Sequence, residues 1–211
     1  HENERAQSMA INESELANYW VHSGMIDING VKMSKSLGNF ITAKDILSKV
    51  DPMVLRWFLL ATQYRDDVNV SDEIIESSKA ELTKIITAYK QACVKLEVNN
   101  IKVTGKDEDA YKRFMDAMAD DLNTPNAYAV IFEIVKNINQ LVRVKEINFE
   151  ALGKEVNTLV RCMNVLGIVL PDMTMSLDDK KMYQEWMEAK SVKNFEKADE
   201  LRAQLSQKGI L

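Results

Sequence analysis

The sequence predicts a mainly α-helical protein with a β-hairpin near its start, an antiparallel helical bundle in its middle and a small helical module at its end. Only three prolines and seven glycines occur among 211 residues, and Ala, Leu, Lys and Glu are frequent, which is typical of helices. After residue 70, long segments carry apolar residues at helical spacing. With 46% apolar residues the chain can form a substantial core.

The predicted helices and loops follow from caps and apolar spacing. Asp51-Pro52 is a typical helix start, and the apolar face after it is expected to contain Val54, Leu55, Phe58, Leu59 and Thr62. Ser71 is expected to cap a helix of about 25 residues. The other predicted elements are a helix over 1–22 broken near its middle, helices over 42–49, 107–120, from 123 onwards and 148–166, a linker over 167–179, and a helical pair over 180–190 and 194–208.

A hairpin is predicted between Gly24 and Met33. Met25-Ile26-Asp27-Ile28 alternates apolar and polar side chains, and Asn29-Gly30 is the preferred two-residue hairpin turn. The hairpin would hold the segment that follows it in a fixed position.

The stretch that follows the hairpin, here called the lysine loop, is Lys32-Met33-Ser34-Lys35-Ser36, bracketed by Gly30 and Gly38. A lysine is a compact charge on a flexible stem, so it can follow phosphate oxygens as charge develops on leaving pyrophosphate. Such stabilisation is strongest where water is excluded. The loop is therefore predicted to handle an oligophosphate; a polar turn without chemistry is the alternative, and the complete five-residue string argues against it.

This string resembles the signature loop of class I aminoacyl-tRNA synthetases, and its surroundings are similar to those of bacterial cysteinyl-tRNA synthetases. The resemblance covers essentially the whole chain, is strongest over the first 75 residues, and places the chain in the C-terminal half of such an enzyme. The similar stretches are His1-Glu2-Asn3-Glu4, Tyr19-Trp20-Val21-His22-Ser23-Gly24, Leu37-Gly38-Asn39-Phe40 and Asp51-Pro52-Met53-Val54-Leu55-Arg56-Trp57-Phe58-Leu59-Leu60.

The resemblance implies an enzyme that activates L-cysteine with ATP and Mg²⁺ and transfers the cysteinyl group to tRNA(Cys). It implies catalytic roles for Lys32 and Lys35, and ATP binding by the whole lysine loop, which includes Met33, Ser34 and Ser36. It also implies three regions: the end of the catalytic domain (1–50), a helical tRNA-binding bundle (51–168), and a linker with a small anticodon-side module (169–211). Since the sequence opens with His rather than Met, we expect a fragment that is inactive alone.

The resemblance also implies a zinc ion that binds the substrate thiolate, with Glu4 as one ligand. Zinc in proteins usually has four ligands from Cys, His, Asp or Glu, and nothing near His1 and Glu4 completes such a set. Zinc is therefore expected in the complete enzyme and not in this chain. Cys93 and Cys162 stand far apart without metal-binding spacing, so both are predicted to be small buried hydrophobes.

Charge and hydropathy limit the remaining function classes. The net charge of −5 argues against a general nucleic-acid binder, and no run of 18 apolar residues suggests a membrane span. A cytoplasmic monomer is expected. His22 could contact substrate, although a packed or solvent-facing role is favoured. Arg56 and Arg65 could contact tRNA, although a solvated role is favoured for both.

Two alternatives to the synthetase remain. A related ligase that joins activated cysteine to an amino sugar shares the lysine loop but needs no RNA-binding bundle, and the long helical part from Ser71 to Leu211 argues against it. The other alternative is a helical binding module with an inert loop.

Overall fold

The computed structural model describes residues 1–34, 36, 38–102 and 104–211. Nine helices and three short strands are present among these residues, so the predicted mainly α-helical fold is confirmed. The helices are α1 (Glu2–Asn12), α2 (Ala43–Leu47), α3 (Pro52–Leu60), α4 (Asp72–Val98), α5 (Glu108–Ala119), α6 (Thr124–Arg143), α7 (Phe149–Val165), α8 (Leu177–Ser191) and α9 (Phe195–Gln207), and the strands are β1 (Ile26–Ile28), β2 (Val31–Lys32) and β3 (Val68–Val70).

The first helix is shorter than the sequence suggests. α1 ends at Asn12, because Glu13 adopts a left-handed conformation with φ 52°, and residues 13–22 contain neither helix nor strand. The predicted continuation of the helix towards Trp20 is therefore wrong. A left-handed residue at this position is a common way for a helix to end. The residue is usually glycine, so a glutamate does not predict such an end from the sequence.

Helix starts were predicted more accurately than this end, because capping residues can be recognised in the sequence. The hydroxyl of Thr42 accepts a hydrogen bond from the Asp45 N–H (3.1 Å), and the Asp45 carboxylate accepts one from the Thr42 N–H (3.0 Å). This reciprocal capping box begins α2. Asp51 caps α3 through the Met53 N–H, with Pro52 in the first turn, and Ser71 caps α4.

Helices α3 to α7 enclose the main core. α4 packs against α3, α6 and α7, and α5 and α7 each pack against α6, which gives the expected antiparallel bundle. Trp57 is fully buried and stacks on Tyr128, with 3.8 Å between ring centroids, and the Tyr128 hydroxyl donates to the Trp57 carbonyl (2.8 Å). Trp57 is not among the residues expected to be buried, whereas Leu59 is expected to be buried and is 41% exposed.

A second, smaller core joins the C-terminal helices to the bundle. It consists of Val94 of α4, Met175 of the linker, Leu205 of α9 and Ile210. α8 and α9 pack against each other as the predicted helical pair, although α8 begins at Leu177, inside the predicted linker. None of the described helices is long and apolar enough to cross a membrane.

Both cysteine thiols are free. Cys162 is fully buried and Cys93 half-buried, and burial raises the pKa of Cys93 to about 11 and that of Cys162 to about 12. Both thiols therefore stay protonated and act as small hydrophobic groups, as predicted.

One carboxylate of the bundle is buried with incomplete hydrogen bonding. Glu155 of α7 accepts a hydrogen bond from the Asn137 side chain of α6 (3.0 Å), but its Oε2 has no partner among the described residues. Burial is the main reason why the pKa of Glu155 lies above its usual value; Asp107 and Glu133 nearby raise it further, and Arg113 opposes them. The charged form is therefore disfavoured in the folded state.

We expect Glu155→Gln to stabilise the bundle at pH 7.5 and to have a smaller effect near pH 4. The unfolded chain releases this proton at a lower pH than the folded chain, so the wild type loses stability as pH rises from the ordinary pKa of glutamate towards the raised one. The gain at pH 7.5 should be on the order of 1 kcal/mol, or about 2–4 °C in melting temperature. Glu146→Gln, at an exposed position before α7, is the control; an equal gain at both pH values would contradict the explanation.

Candidate functional site

The lysine loop starts from a short antiparallel hairpin, as predicted. β1 pairs with β2 so that Asp27 stands opposite Lys32 and Ile28 opposite Val31. Asn29 and Gly30 have φ values of 51° and 74°, which a two-residue hairpin turn requires. Lys32 therefore lies at the end of a paired strand, with its side chain exposed. Lys35, the other predicted catalytic residue, lies outside the described residues.

The base of the lysine loop is joined by a residue that the sequence analysis did not select. The side-chain amide of Asn39 donates to the Lys32 carbonyl (3.1 Å), and its oxygen accepts from the Ser34 N–H (2.8 Å). Within the loop, the hydroxyls of Ser34 and Ser36 are 3.1 Å apart and share a hydrogen bond. Met33, the remaining described residue of the loop, is half-buried.

The hairpin is held by a third strand from a distant part of the sequence. β3 pairs in parallel with β1, so that Ile26 stands opposite Val68 and Ile28 opposite Val70. The Asn69 side chain accepts a hydrogen bond from the Gly30 N–H (2.9 Å), so β3 also holds the hairpin turn. β3 was not predicted from the sequence, because Val68-Asn69-Val70 alternates over only three residues.

The segment between α3 and β3 connects the hairpin to the helical bundle. On one side, the Tyr64 carbonyl accepts from the Gly24 N–H (2.7 Å), and Asp67 accepts from the Met25 N–H (2.6 Å). On the other side, the Arg65 guanidinium donates twice to the Asp121 carboxylate, at 2.7 and 3.1 Å. Asp121 lies in the turn between α5 and α6, so the lysine loop is tied to the bundle through hydrogen bonds.

Arg65 shares Asp121 with its two preceding residues. The Tyr64 hydroxyl donates to the Asp121 carboxylate (2.8 Å), and the Gln63 amide donates to the Asp121 carbonyl (3.0 Å). The hydrogen bond from Arg65, followed by that from Tyr64, lowers the pKa of Asp121. Arg65 is therefore an anchoring residue, while Arg56 is exposed, with Nη1 3.5 Å from the Leu166 carbonyl at the end of α7.

Glu4 lies on the exposed face of α1, and a backbone hydrogen bond lowers its pKa. Among the described residues, no three His, Cys, Asp or Glu side chains are grouped so that they could hold a metal ion. Since zinc sites need about four ligands, the described residues do not form a zinc site.

His22 packs in a ring cluster near the start of the chain. Its ring is 4.8 Å from that of His1 and lies nearly parallel to the Trp20 indole at 6.3 Å. The cluster borders an open depression, which also contains the ion pair between Arg5 and Glu15 (2.7 Å). His22 is exposed beside these rings, and its favoured packed or solvent-facing role stays a prediction.

Comparison with known protein families divides the chain into two matched parts. Residues 1–80 match the family model described as the tRNA synthetases class I (C) catalytic domain. Residues 113–170 match the model of the DALR domain. The first match contains the hairpin, the lysine loop and β3, and the second contains most of α5 and all of α6 and α7.

Curated relatives match along the whole chain. A cysteine--tRNA ligase of Oceanobacillus iheyensis is 38% identical over 221 residues, which cover all of this chain and 47% of the relative. The cysteine--tRNA ligases of Francisella tularensis subsp. novicida and subsp. mediasiatica are also 38% identical, over 220 residues and 46% of their length. Residues 1–80 are therefore similar to the catalytic domain of class I tRNA synthetases, and the whole chain is similar to cysteine--tRNA ligases. It spans about half the length of the curated relatives it matches.

The matched catalytic domain explains why the hairpin and β3 belong together. Residues 1–80 include both β1 and β3, so the parallel pairing between these strands lies within one family unit. The predicted boundary at residue 50 is not tested by these matches and stays a prediction.

Gly24 is the position where the hairpin and the 63–67 segment approach most closely. A Cβ atom at Gly24 would lie 2.1 Å from the Asp66 carbonyl oxygen and 2.9 Å from the Asp67 nitrogen. Backbone atoms cannot move aside as a flexible side chain can, so only glycine fits here without displacing one of the two segments.

We expect Gly24→Ala to loosen the hairpin from β3. Overpacking usually costs about 1–3 kcal/mol, so the amides of Asn29 and Val68, which bond across this junction, should exchange about 5- to 150-fold faster by local opening. Hydrogen exchange followed by NMR measures this. Ser23→Ala, at the exposed preceding position, is the control, and unchanged exchange in Gly24→Ala would contradict the close approach.

Proposed function

We propose that the chain is the part of a cysteine--tRNA ligase that carries the lysine loop and the tRNA-binding helices. The observation that carries the proposal is a loop with the class I signature on a hairpin that is hydrogen-bonded to the segment leading into a DALR-type bundle. The substrates of the complete enzyme are L-cysteine, ATP with Mg²⁺, and tRNA(Cys).

The proposed reaction has two steps. The carboxylate of cysteine attacks the α-phosphate of ATP, so that cysteinyl-adenylate forms and pyrophosphate leaves. The cysteinyl group then passes to the terminal adenosine of the tRNA, and AMP leaves. Lys32 and Lys35 stabilise the negative charge that develops on the phosphates in the first step, while Met33, Ser34 and Ser36 contribute to ATP binding.

Catalysis by this proposal requires more protein than these 211 residues. No apolar side chain before Val54 is buried among the described residues, and Ile11, Tyr19 and Val21 are between 69% and 90% exposed. The described part of residues 1–53 lies within the match to the catalytic domain but has no buried apolar side chain, which indicates that a packing partner is absent. We therefore propose that the chain alone is inactive.

Zinc remains a proposal for the complete enzyme. Glu4 is exposed and can contribute one carboxylate, but the other ligands must come from outside the described residues. No step of the mechanism above passes through the metal.

The first experiment is a titration of the chain with tRNA(Cys) and, in parallel, tRNA(Ser), at about 50 and 200 mM salt, since electrostatic binding weakens steeply over this range. We expect selective binding of tRNA(Cys) that persists at the higher salt, because the bundle would recognise shape and bases as well as phosphates. Equal or absent binding would contradict recognition by the helical part and would favour the amino-sugar ligase instead.

The proposed roles of the two lysines are tested in a chimera. In it, this chain replaces the matching segment of the Oceanobacillus iheyensis relative. We expect Lys35→Ala to slow cysteine-dependent ATP–pyrophosphate exchange by about 100- to 1,000-fold, the usual effect of removing one well-placed charged donor, and Lys32→Ala to have a smaller effect. Affinity for tRNA should stay nearly unchanged. Lys84→Ala, on the exposed face of α4, is the control, and an unchanged rate in Lys35→Ala would disprove its assignment.

A further inference from the structure

Asn39, which follows the lysine loop, forms hydrogen bonds with two residues of that loop. Asn39 is half-buried, and its carboxamide bridges two backbone groups, the Lys32 carbonyl and the Ser34 N–H. We infer that Asn39 is a positioning residue, which fixes the backbone of Lys32 and Ser34 so that the loop meets the nucleotide phosphates in a preset conformation. The inference rests on the proposed function of the loop.

Asparagine suits this position because both of its polar atoms are used. The amide nitrogen donates and the amide oxygen accepts, so one side chain bonds a carbonyl and an N–H that lie two residues apart. Aspartate would keep the acceptor for Ser34 but lose the donor to Lys32, and alanine would lose both. The two bonds, at 3.1 and 2.8 Å, lie within the normal range for hydrogen bonds.

Gly38 turns the backbone so that the Asn39 side chain can reach Lys32 and Ser34. Its φ of 68° is left-handed, and nothing lies within 4 Å of where its Cβ would be. Glycine is therefore favoured here for its conformation and not for lack of space. This turn brings Asn39 back to the start of the loop.

The backbone of the loop is thereby held from two sides. On the hairpin side, the Met33 N–H donates to the Ile26 carbonyl (3.3 Å), which extends the β1–β2 ladder by one bond. On the opposite side, Asn39 holds the neighbouring carbonyl of Lys32. The Lys32 side chain remains exposed, so the backbone is fixed while the ammonium group stays accessible. Such preorganisation reduces the ordering that must accompany binding and reaction.

The structural part of the inference is tested in this chain by hydrogen exchange at the Ser34 amide. Asn39→Ala removes the acceptor, so Ser34 should exchange faster, whereas Asn39→Asp keeps the acceptor and should preserve its protection. Because Asn39 and the described residues of the loop are not fully buried, the melting temperature should change by less than about 2 °C in both variants. Unchanged Ser34 exchange in Asn39→Ala would overturn the inference.

The functional part is tested in the chimera described above. Asn39→Ala should lower kcat for ATP–pyrophosphate exchange by about 100-fold, the effect of a misplacement near 1 Å, and leave KM for cysteine unchanged. A residue that served folding alone would lower the amount of active enzyme and its melting temperature instead. Asn126→Ala, at an exposed position of α6, is the matched control and should behave as the wild type.

The possible failures can be distinguished. If Lys35→Ala slows the exchange while Asn39→Ala leaves it unchanged, the inference is overturned and the proposed function stands. If neither lysine substitution changes the rate of an active chimera, the phosphate role of the loop is disproved, and the positioning role is overturned with it. If both Lys35→Ala and Asn39→Ala lower kcat, and Ser34 loses protection only in Asn39→Ala and not in Asn39→Asp, both proposals are supported.

Discussion

The parallel pairing of β1 with β3 is the interaction on which the placement of the lysine loop depends. A two-stranded hairpin alone is at best marginally stable in water, and residues 26–32 have no buried apolar side chain to hold them in place. β3 supplies a second row of backbone hydrogen bonds and the Asn69 side chain that holds the turn. Because β3 follows directly from the segment that binds Asp121, the position of the hairpin is set by the bundle.

Backbone and side-chain hydrogen bonds have different roles in this arrangement. The ladder of β1, β2 and β3 fixes where the loop begins, Asn39 closes it, and the Arg65–Asp121 pair ties the whole unit to the turn between α5 and α6. The ion pair is exposed, so its net contribution to stability is small. Its importance is geometric, since the bidentate bonds define one orientation of the 63–67 segment relative to the bundle.

The sequence predicted those parts of the molecule whose signals are local. The Asn29-Gly30 turn, the helix start at Thr42, the Asp51-Pro52 start and the long amphipathic helices were all predicted and are present. Each of these depends on a few neighbouring residues with specific backbone preferences. The resemblance to class I synthetases, carried by the lysine loop and its flanks, is confirmed by the family matches.

The sequence did not reveal features that depend on distant partners. β3 is only three residues long and becomes a strand by pairing with β1. Leu59 is exposed where burial was expected, and Trp57 is buried instead, because the contact with Tyr128 of α6 selects the buried face of α3. Asn39 resembles any other loop asparagine until its two backbone partners are seen. α1 ends before Glu13, which is left-handed, and no glycine at this position predicts the end of the helix.

The parallel strand pair also has a consequence for the order of folding. Met25 and Asp67, which bond across this junction, are 42 positions apart, and Tyr64 and Asp121 are 57 apart. Contacts between distant residues carry the cost of closing a long loop before they give any stabilisation. By this criterion the 42-residue closure costs less than the 57-residue one, so we expect the hairpin to pair with β3 first and the lysine loop to take its position relative to the bundle only when Asp121 binds the 63–65 segment.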